Sequence, residues 1–409
     1  MQIGNEIAII TQGVKINEEK GYTRFAYIAD ILARQGFQVE LITSTFQHWE
    51  KKQRNINGFN HDFTYKMKFI YEPGYKKNID LTRIISHKIL AQNLKKYLKT
   101  CQDFDLIYFE IPPNDVARAA VSYAKERNIP AIADINDLWP EAMKMVIDIP
   151  FISNFLFFPF MKDAEWVYQN INGIIGTSQE YADRPIKNGN YNIPRKVVYV
   201  GIDLKEFDDG VKEYSNQIQK DQRDFWVMYA GTIGTSYDIK TIILSAVQLK
   251  KKGYQNIKIK LLGDGPLRKK LEKMAESLDC NVEFLGYVPY KKMAAYLTRA
   301  DLLINSFVKK APQSIVTKVG DYLASGHPMI NTCSSREFCK KVKSDRFGIN
   351  IEPENTIKLT QAIEIFYHHP KKRAIYGSNA RVIAEKEFNR EKAYLTIVDL
   401  VNNCLMKKK

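Results

Sequence analysis

The sequence predicts an α/β protein made of two Rossmann-like, doubly wound domains that face each other across a cleft. The chain has 409 residues, more than one ordinary hydrophobic core organises and enough for two domains. Apolar runs rich in β-branched residues alternate with helical stretches along both halves, which is the pattern of a parallel sheet covered by helices. Hydrophobic residues make up 45% and charged residues 26% of the chain, as in ordinary globular proteins, so we expect all of it to fold.

The first half, residues 1–205, is one predicted domain. Its predicted strands are Glu6–Thr11, Gln38–Thr43, Leu106–Glu110, Ala131–Ile135, Gly173–Gly176 and Lys196–Val200. The helices between them include Tyr22–Gln35, Leu81–Thr100 and Asp115–Arg127.

The second half, residues 206–388, repeats the pattern as a second predicted domain. Its predicted strands are Phe225–Ala230, Ile257–Leu262, Val282–Leu285, Leu302–Ser306, Met329–Thr332 and Gly348–Ile351, and its helices include Ile239–Lys251, Leu267–Leu278, Lys291–Ala300 and Val316–Ala324. The polar segment Gly201–Asp224 is interpreted as the linker. Two helices separated near Glu387–Arg390 end the chain, and the last, about 389–409, is expected to pack back on the first domain.

Composition limits the classes of function. Five scattered cysteines without a Cys-x-x-Cys pair indicate free thiols in a reducing compartment rather than disulfides or a zinc site. The longest apolar run, 149–161, is shorter than the roughly 18 to 20 residues that cross a bilayer, and no export signal opens the chain. We therefore expect a cytoplasmic protein. A net charge of +15 favours anionic partners, but no nucleic-acid-binding signature accompanies it, so phosphorylated substrates or a membrane surface are preferred to nucleic acid.

Two glycine-containing loops follow consecutive predicted strands of the second half. Gly231 and Gly234 follow the first of these strands, and Gly263 and Gly265 follow the second. Ligands of open parallel sheets bind outside the carboxyl ends of the strands, and glycines let backbone N–H groups approach a phosphate closely. The pattern indicates a phosphate site, although an ordinary tight turn explains each loop about as well.

A third pattern pairs a cation with a carboxylate on one helix. Lys318 and Asp321 are three residues apart and therefore share a helix face. There a lysine could neutralise a diphosphate while the aspartate accepts hydrogen bonds from ribose hydroxyls. A solvated ion pair between the two side chains is the competing interpretation.

These residues resemble the donor-binding half of the retaining GT-B glycosyltransferases of family 4. The similarity comprises a glycine loop, an LLGDGP turn, an FLGYVP turn and a helix of the form K-x-x-E/D-Y-x-A-x-G-x-P, in that order. Here they are Gly231–Gly234, Leu261–Pro266, Phe284–Pro289 and Lys318–Pro328.

The resemblance extends into the first half. Residues 20–44 are similar to the family's opening glycine loop and the helix and strand after it, and Val200–Phe207 is similar to its interdomain segment. The segment Asp137–Glu141 looks like the DLWPE motif of a branch that builds bacterial capsule, O-antigen and exopolysaccharide.

The resemblance implies roles for individual residues. Lys318 offsets the charge of the donor diphosphate and Asp321 holds the ribose, while Asp137 lies near the acceptor and Gly21 at the floor of the reaction centre. The catalytic residues implied are Lys318, Asp137 and Gly21. The donor-binding residues implied are Gly231, Thr232, Gly234, Gly263, Gly265, Tyr287, Val288, Gln313, Ser314, Lys318 and Asp321.

Three positions depart from the family's pattern. Thr232 and Tyr237 stand where many relatives have an Arg and a Lys that clamp the diphosphate, and Gln313 stands where the usual Glu contacts the donor sugar. Lys318 is therefore expected to carry more of the charge, with Arg268 or Lys240 as candidate helpers.

The implied function is a retaining hexosyltransferase that moves a sugar from a nucleotide-sugar, with UDP as the expected nucleotide. The implied acceptor is a saccharide or polyprenyl-diphosphate-linked glycan at the inner membrane surface, and no cofactor or metal is expected because no DxD-type carboxylate pair is placed near the diphosphate. Alternatives are a nucleotide-sugar epimerase on the same fold and a non-catalytic partner subunit.

Two further segments have two interpretations each. The apolar run 149–161 is either a wedge in the membrane interface or a buried helix start. A set of basic residues either favours anionic lipid or is a solvated helix face: Lys76, Lys77, Arg83, Lys88, Lys95, Lys96 and Lys99.

Overall fold

A computed structural model describes residues 5–16, 19, 21, 23–56, 62–78, 80–101, 104–139, 150–190, 192–311 and 315–407, without the side chains of 150–157 and 188. The chain divides into two compact units. One comprises Met1–Val198 together with Tyr394–Lys409, and the other comprises Tyr199–Ala393.

The N-terminal unit is built on a seven-stranded, fully parallel sheet with the strand order β5-β2-β1-β6-β7-β8-β9. A separate short antiparallel pair, β3 and β4, follows β2. The strands are β1 (Glu6–Ile10), β2 (Gln38–Ser44), β3 (Phe46–Gln47), β4 (Lys52–Gln53), β5 (Lys66–Ile70), β6 (Leu106–Ile111), β7 (Ala131–Ile135), β8 (Gly173–Gly176) and β9 (Arg195–Val197). The α-helices are Arg24–Arg34, Leu81–Thr100, Asn114–Glu126, Pro150–Gln169, Gln179–Ala182 and Leu395–Met406.

The centre of this sheet is buried on both faces. Every residue of β6 is buried, as expected for a parallel strand covered by helices on both sides. A buried ion pair joins the first helix to β7, because the guanidinium of Arg24 lies 3.0 Å from the carboxylate of Asp134. Tyr394, at the start of the last helix, accepts a hydrogen bond of 3.0 Å from Arg24. That helix thus belongs to the core of the N-terminal unit.

The C-terminal unit has a six-stranded parallel sheet with the order β12-β11-β10-β13-β14-β15. Its strands are β10 (Phe225–Ala230), β11 (Ile257–Leu262), β12 (Val282–Gly286), β13 (Leu302–Asn305), β14 (Met329–Asn331) and β15 (Gly348–Asn350). Its α-helices are Leu204–Tyr214, Ile239–Lys251, Arg268–Ser277, Tyr290–Arg299, Lys318–Ala324, Arg336–Ser344, Thr356–His368, Pro370–Ile383 and Arg390–Ala393.

Both sheets reverse direction beside their first strand. The chain builds outward from β1 or β10 on one side, then returns to add β6 or β13 on the other. Such a reversal opens a crevice at the carboxyl ends of the two central strands, where ligands of open α/β sheets bind. The predicted fold of two parallel-sheet, Rossmann-like domains is confirmed.

Some predicted elements were wrong. The segment interpreted as a linker contains a helix, Leu204–Tyr214, whose first turn is capped by the Asp203 carboxylate. Its charged residues concealed a narrow apolar face that buries Leu204 and Phe207. The edge strand β5 was also not predicted. Its residues alternate too weakly between buried and exposed to give the apolar pattern of a strand.

From residue 150 onward, the apolar run 149–161 forms the first part of the helix Pro150–Gln169, and both interpretations of the run concern side chains that lie largely outside the described residues. Among the residues the structure describes, no helix is long and apolar enough to cross a membrane.

Candidate functional site

The two glycine loops of the C-terminal unit pack against each other. A Cβ atom added to Gly263 would lie 1.9 Å from the carbonyl oxygen of Gly231, and one added to Gly265 would lie 2.4 Å from that of Ile233. Backbone hydrogen bonds of 2.9 Å join the loops, from Gly231 N–H to Leu262 and from Ile233 N–H to the carbonyl of Asp264. The glycines are therefore required by the close contact of two backbones at the ends of β10 and β11.

The same hydrogen bonds leave alternate amides of the first loop available. The N–H groups of Gly231 and Ile233 are used between the loops, whereas those of Thr232 and Gly234 donate to no described residue. Gly231 has a φ of +149°, a conformation that glycine adopts without strain. The loop can thus offer two backbone donors to an anion.

Lys318 lies directly beside this loop. A Cβ atom added to Gly231 would be 3.5 Å from the Cδ of Lys318. The Lys318 Nζ lies 4.3 Å from the ring centroid of Tyr229, 4.1 Å from that of Tyr237 and 5.3 Å from that of Phe307. We call these three rings the aromatic cage. The distances allow cation–π attraction to all three.

The aromatic cage leaves the amine of Lys318 without a polar partner. Its Nζ is buried and forms no hydrogen bond with any described residue. Burial lowers the pKa of Lys318 to about 7, because a charged amine is poorly solvated by aromatic rings. The solvated ion pair with Asp321, the alternative in the sequence analysis, does not form between the described side chains.

The helix that begins with Lys318 is fixed to the sheet by Tyr322. Its hydroxyl accepts a hydrogen bond of 2.8 Å from the N–H of Ala230 and lies 3.0 Å from the carbonyl oxygen of the same residue and 3.3 Å from that of Ile304. Ala230 ends β10 and Ile304 belongs to β13, the two strands between which the sheet reverses. Tyr322 therefore places Lys318 at this reversal.

Asp321 lies one turn along the same helix. Its Oδ1 accepts a hydrogen bond of 2.8 Å from the hydroxyl of Tyr290. Burial raises the pKa of Asp321 to about 7 although the Tyr290 hydrogen bond opposes this. The carboxyl group keeps acceptor capacity for one further hydroxyl donor.

The turn after β12 presents a mostly exposed aromatic ring. Gly286 has a φ of +74°, Tyr287 is 79% exposed, and Val288 packs on the core of the unit. Such a ring is free to stack on a planar ligand. The nearby guanidinium of Arg268 is 2.8 Å from the carboxylate of Glu272, so this candidate helper is already paired.

The residues that depart from the family's pattern, and the candidate helper Lys240, lie in different surroundings. Tyr237 is part of the aromatic cage, Thr232 is exposed on the loop, and Lys240 is exposed on the next helix. That helix begins at Ile239, and the Asp238 carboxylate accepts from the N–H of Thr241, so an acidic side chain already occupies the N-terminus of this helix. Gln313 and Ser314 lie outside the described residues.

The N-terminal unit places Gly21 and Asp137 near one group of aromatic and basic side chains. A Cβ atom added to Gly21 would lie 2.4 Å from the indole of Trp49. Asp137 accepts a hydrogen bond from the N–H of Leu138 and acts electrostatically on Arg83. The members of this group are His48, Lys51, Tyr75, Arg83 and His87. They come from two separate loops and one helix, so no local sequence pattern connects them.

The crevice of the N-terminal sheet differs from that of the C-terminal sheet. The buried carboxylate of Glu110 accepts hydrogen bonds from Thr11 Oγ1 and from the N–H groups of Gln12 and Gly13. Burial raises the pKa of Glu110 to about 7. A protein carboxyl group therefore already occupies the amides at the end of β1, in contrast to the free amides at the end of β10.

Residues 210–382 match the sequence profile of the family described as glycosyl transferases group 1. No curated protein sequence matches the chain. The fold is similar to that of HepE from Anabaena, solved in complex with UDP, at 16% identity and a TM-score of 0.70, covering 97% of this chain and 100% of HepE.

Two further solved structures share the fold. Sucrose-phosphate synthase from Thermosynechococcus elongatus is 17% identical with a TM-score of 0.72, covering 98% of this chain and 100% of the other. WaaG, a glycosyltransferase involved in lipopolysaccharide biosynthesis, is 14% identical with a TM-score of 0.62, covering 95% and 99%. Residues 210–382, within the C-terminal unit, therefore resemble the group 1 glycosyl transferases in sequence, and the whole chain shares its fold of two Rossmann-like domains with these solved structures.

Proposed function

We propose that the protein is a retaining glycosyltransferase that uses a UDP-sugar as donor. The observation that carries this proposal is the Nζ of Lys318, which has no polar partner among the described residues, beside a glycine loop whose Thr232 and Gly234 amides donate to none of them. One buried cation and two backbone donors at the reversal of a parallel sheet form a site for a diphosphate.

The chemistry follows from the charge that the reaction develops. Breaking the glycosyl–phosphate bond leaves negative charge on the departing nucleoside diphosphate. A protonated Lys318 and the amides of Thr232 and Gly234 stabilise that charge in a site of low dielectric constant, where preorganised donors are most effective. In this proposal the transfer needs no metal ion, so activity should persist in EDTA.

The remaining donor residues have separate proposed roles. Asp321 accepts a hydrogen bond from a ribose hydroxyl, and Tyr287 stacks on the nucleobase beside Val288. Gly263 and Gly265 hold the loops together. Gln313 and Ser314 are proposed to contact the donor sugar. The UDP complex of HepE supports the choice of nucleotide, as does the HepE structure with UDP-glucose.

The proposed acceptor is a saccharide or a polyprenyl-diphosphate-linked glycan in bacterial surface polysaccharide synthesis, with Asp137 and Gly21 beside it. Support comes from the DLWPE resemblance and from six exposed lysines that suit an anionic cytoplasmic membrane surface: Lys76, Lys77, Lys88, Lys95, Lys96 and Lys99.

The proposed donor site is tested by nucleotide binding. Thermal unfolding is measured with UDP, GDP, UDP-sugars and GDP-sugars on wild type, Lys318→Ala and the matched control Lys240→Ala, since a ligand raises apparent stability by mass action. We expect stabilisation by UDP-type ligands in wild type and Lys240→Ala and its loss in Lys318→Ala.

Each other outcome identifies an alternative. Binding of no nucleotide would favour a non-catalytic partner subunit. Conversion of the UDP-sugar at the same rate with and without an added acceptor glycan would favour an epimerase.

A further inference from the structure

The N-terminal unit contains two cations packed on one tyrosine ring. The Lys51 Nζ lies 4.7 Å and the Arg83 Cζ 5.3 Å from the ring centroid of Tyr75. Arg83 also lies 4.5 Å from the ring centroid of Trp139. Two imidazoles complete the group, since His48 bonds to the Tyr75 hydroxyl at 2.5 Å and the ring of His87 is 5.6 Å from that of Tyr75. We call Lys51, Tyr75, Arg83, His48 and His87 the cationic cluster.

Arg83 differs from the other basic residues of its region. The lysines before it and along its helix are exposed, whereas Arg83 is half-buried between Tyr75 and Trp139. His87 lies four residues on, on the same helix face. The solvated helix face considered in the sequence analysis therefore describes the lysines but not Arg83.

Two polar atoms of the cationic cluster are buried without a partner. The Nε2 of His87, a residue only 2% exposed, and the Nε of Arg83 form no hydrogen bond with any described residue. Leaving a buried donor or acceptor unsatisfied raises the free energy of the folded protein. A ligand that bonds to these atoms would recover that free energy.

The positive charge of the cationic cluster is poorly compensated. Lys51 donates to the carbonyl of His48 and to Asn78 Oδ1, and Arg83 donates to the carbonyl of Asn78. Neither forms an ion pair within the part of the chain that the structure describes. Burial, with the nearby Arg83 charge, lowers the pKa of Lys51 to about 8.

The carboxylates that face the cationic cluster are Glu72 and Asp137. Glu72 already accepts hydrogen bonds from Gln12, Ser44 and Ser86. It is therefore engaged by neutral donors rather than by Lys51 or Arg83.

We propose that the cationic cluster binds a phosphate group of the acceptor substrate, an inference that rests on the proposed transferase function. Two cations with imidazole and phenol groups supply several charge-assisted donors, which suit a phosphate with its several acceptor oxygens. The cationic cluster also connects the two residues assigned to the acceptor side. Trp49 contacts Gly21 and lies 5.3 Å from the His48 ring, while Arg83 interacts with Asp137.

The experiment titrates farnesyl diphosphate, inorganic pyrophosphate and farnesol into the full-length protein by calorimetry, with UDP present in excess to fill the donor site. The variants are Arg83→Gln and Lys51→Gln. Lys196→Gln is the matched control, because it removes the same charge from an exposed position on β9 of the same unit.

We expect Arg83→Gln and Lys51→Gln each to weaken diphosphate binding about tenfold or more, the effect of losing one charge-assisted hydrogen bond. Lys196→Gln should bind as wild type does, and Arg83→Lys should recover part of the affinity. Stronger binding of farnesyl diphosphate than of pyrophosphate would identify a lipid-linked acceptor. Equal binding of the two would identify a site for a free phosphate group.

The inference would be overturned if wild type bound neither diphosphate, if farnesol bound as well as farnesyl diphosphate, or if all three charge removals weakened binding equally. A separate titration of UDP tests the proposed function independently, and the cationic-cluster variants should leave UDP affinity unchanged. Thermal unfolding of each variant establishes that it is folded.

Discussion

Replacing Lys318 with methionine removes the amine from the aromatic cage and keeps an unbranched side chain. The buried amine is costly to the folded protein, because burial lowers its pKa from 10.5 to about 7. At about 1.4 kcal/mol per pH unit, this difference corresponds to on the order of 5 kcal/mol. We therefore expect Lys318→Met to be more stable than wild type while binding its donor less tightly.

The gain in stability should depend on pH in a defined direction. Between pH 7 and 10.5 the unfolded chain keeps a proton on Lys318 that the folded protein has lost, so the wild-type free energy of unfolding rises with pH across this window. Relative to wild type, the gain of Lys318→Met should be largest below pH 7 and should vanish near pH 10.5. Urea unfolding at pH 6, 8 and 10 measures it.

Donor binding supplies the second half of this prediction. A bound diphosphate raises the affinity of Lys318 for its proton, so at pH 8 wild type should take up a proton on binding UDP, while Lys318→Met should not. Calorimetry in two buffers of different ionisation enthalpy measures this uptake. Loss of the charged partner should weaken UDP binding about tenfold or more. A Lys318→Met protein that is less stable than wild type and binds UDP equally well would refute the reasoning.

Three further substitutions test other parts of the fold. Gly263→Ala should destabilise the protein by about 2 kcal/mol more than Gly253→Ala, measured by urea unfolding, because the first added methyl would lie 1.9 Å from a carbonyl oxygen and the second meets nothing within 4 Å. Asp321→Asn should raise the melting temperature above pH 7 and not below about pH 4, because burial raises the pKa of this carboxyl group to about 7 and so penalises its ionised form; an equal gain at both pH values would contradict this. Asp134→Asn should cost about 3–5 kcal/mol by leaving a buried guanidinium uncompensated, whereas Asp30→Asn, which breaks an exposed pair, should cost less than about 1 kcal/mol; similar losses in the two variants would show that burial is not the cause.

The sequence predicted the parallel sheets well because their strands are buried on both faces. The continuous apolar runs Phe225–Ala230 and Ala131–Ile135 were predicted with the bounds that the structure shows. The edge strand Lys66–Ile70 was missed because its lysines suit solvent as well as a sheet. The helix Leu204–Tyr214 was missed because only a narrow stripe of it is apolar.

For the candidate site, the sequence located residues that share a short segment and missed those that meet only in the fold. The loop of Gly231 and the helix of Lys318 follow separate strands, and a motif resemblance was needed to connect them. In the sequence, Tyr229 was predicted only as part of a strand and Tyr237 only as a position that departs from the family's pattern. Together with Phe307 they surround the Lys318 amine. Distances between side chains from different loops are set by tertiary packing, which no local pattern encodes.

The aromatic ring at Tyr237 changes how the site handles charge. Where many members of the resembled family have a lysine, this ring removes a second cation and helps to bury the neighbouring Lys318, and burial lowers the pKa of that amine. Under the proposed function, burial keeps the pKa of this single amine low, so the amine gains its proton when the diphosphate arrives and releases it when the product leaves. Under the proposed function, the departure at Tyr237 therefore leaves one cation, Lys318, to stabilise the leaving diphosphate.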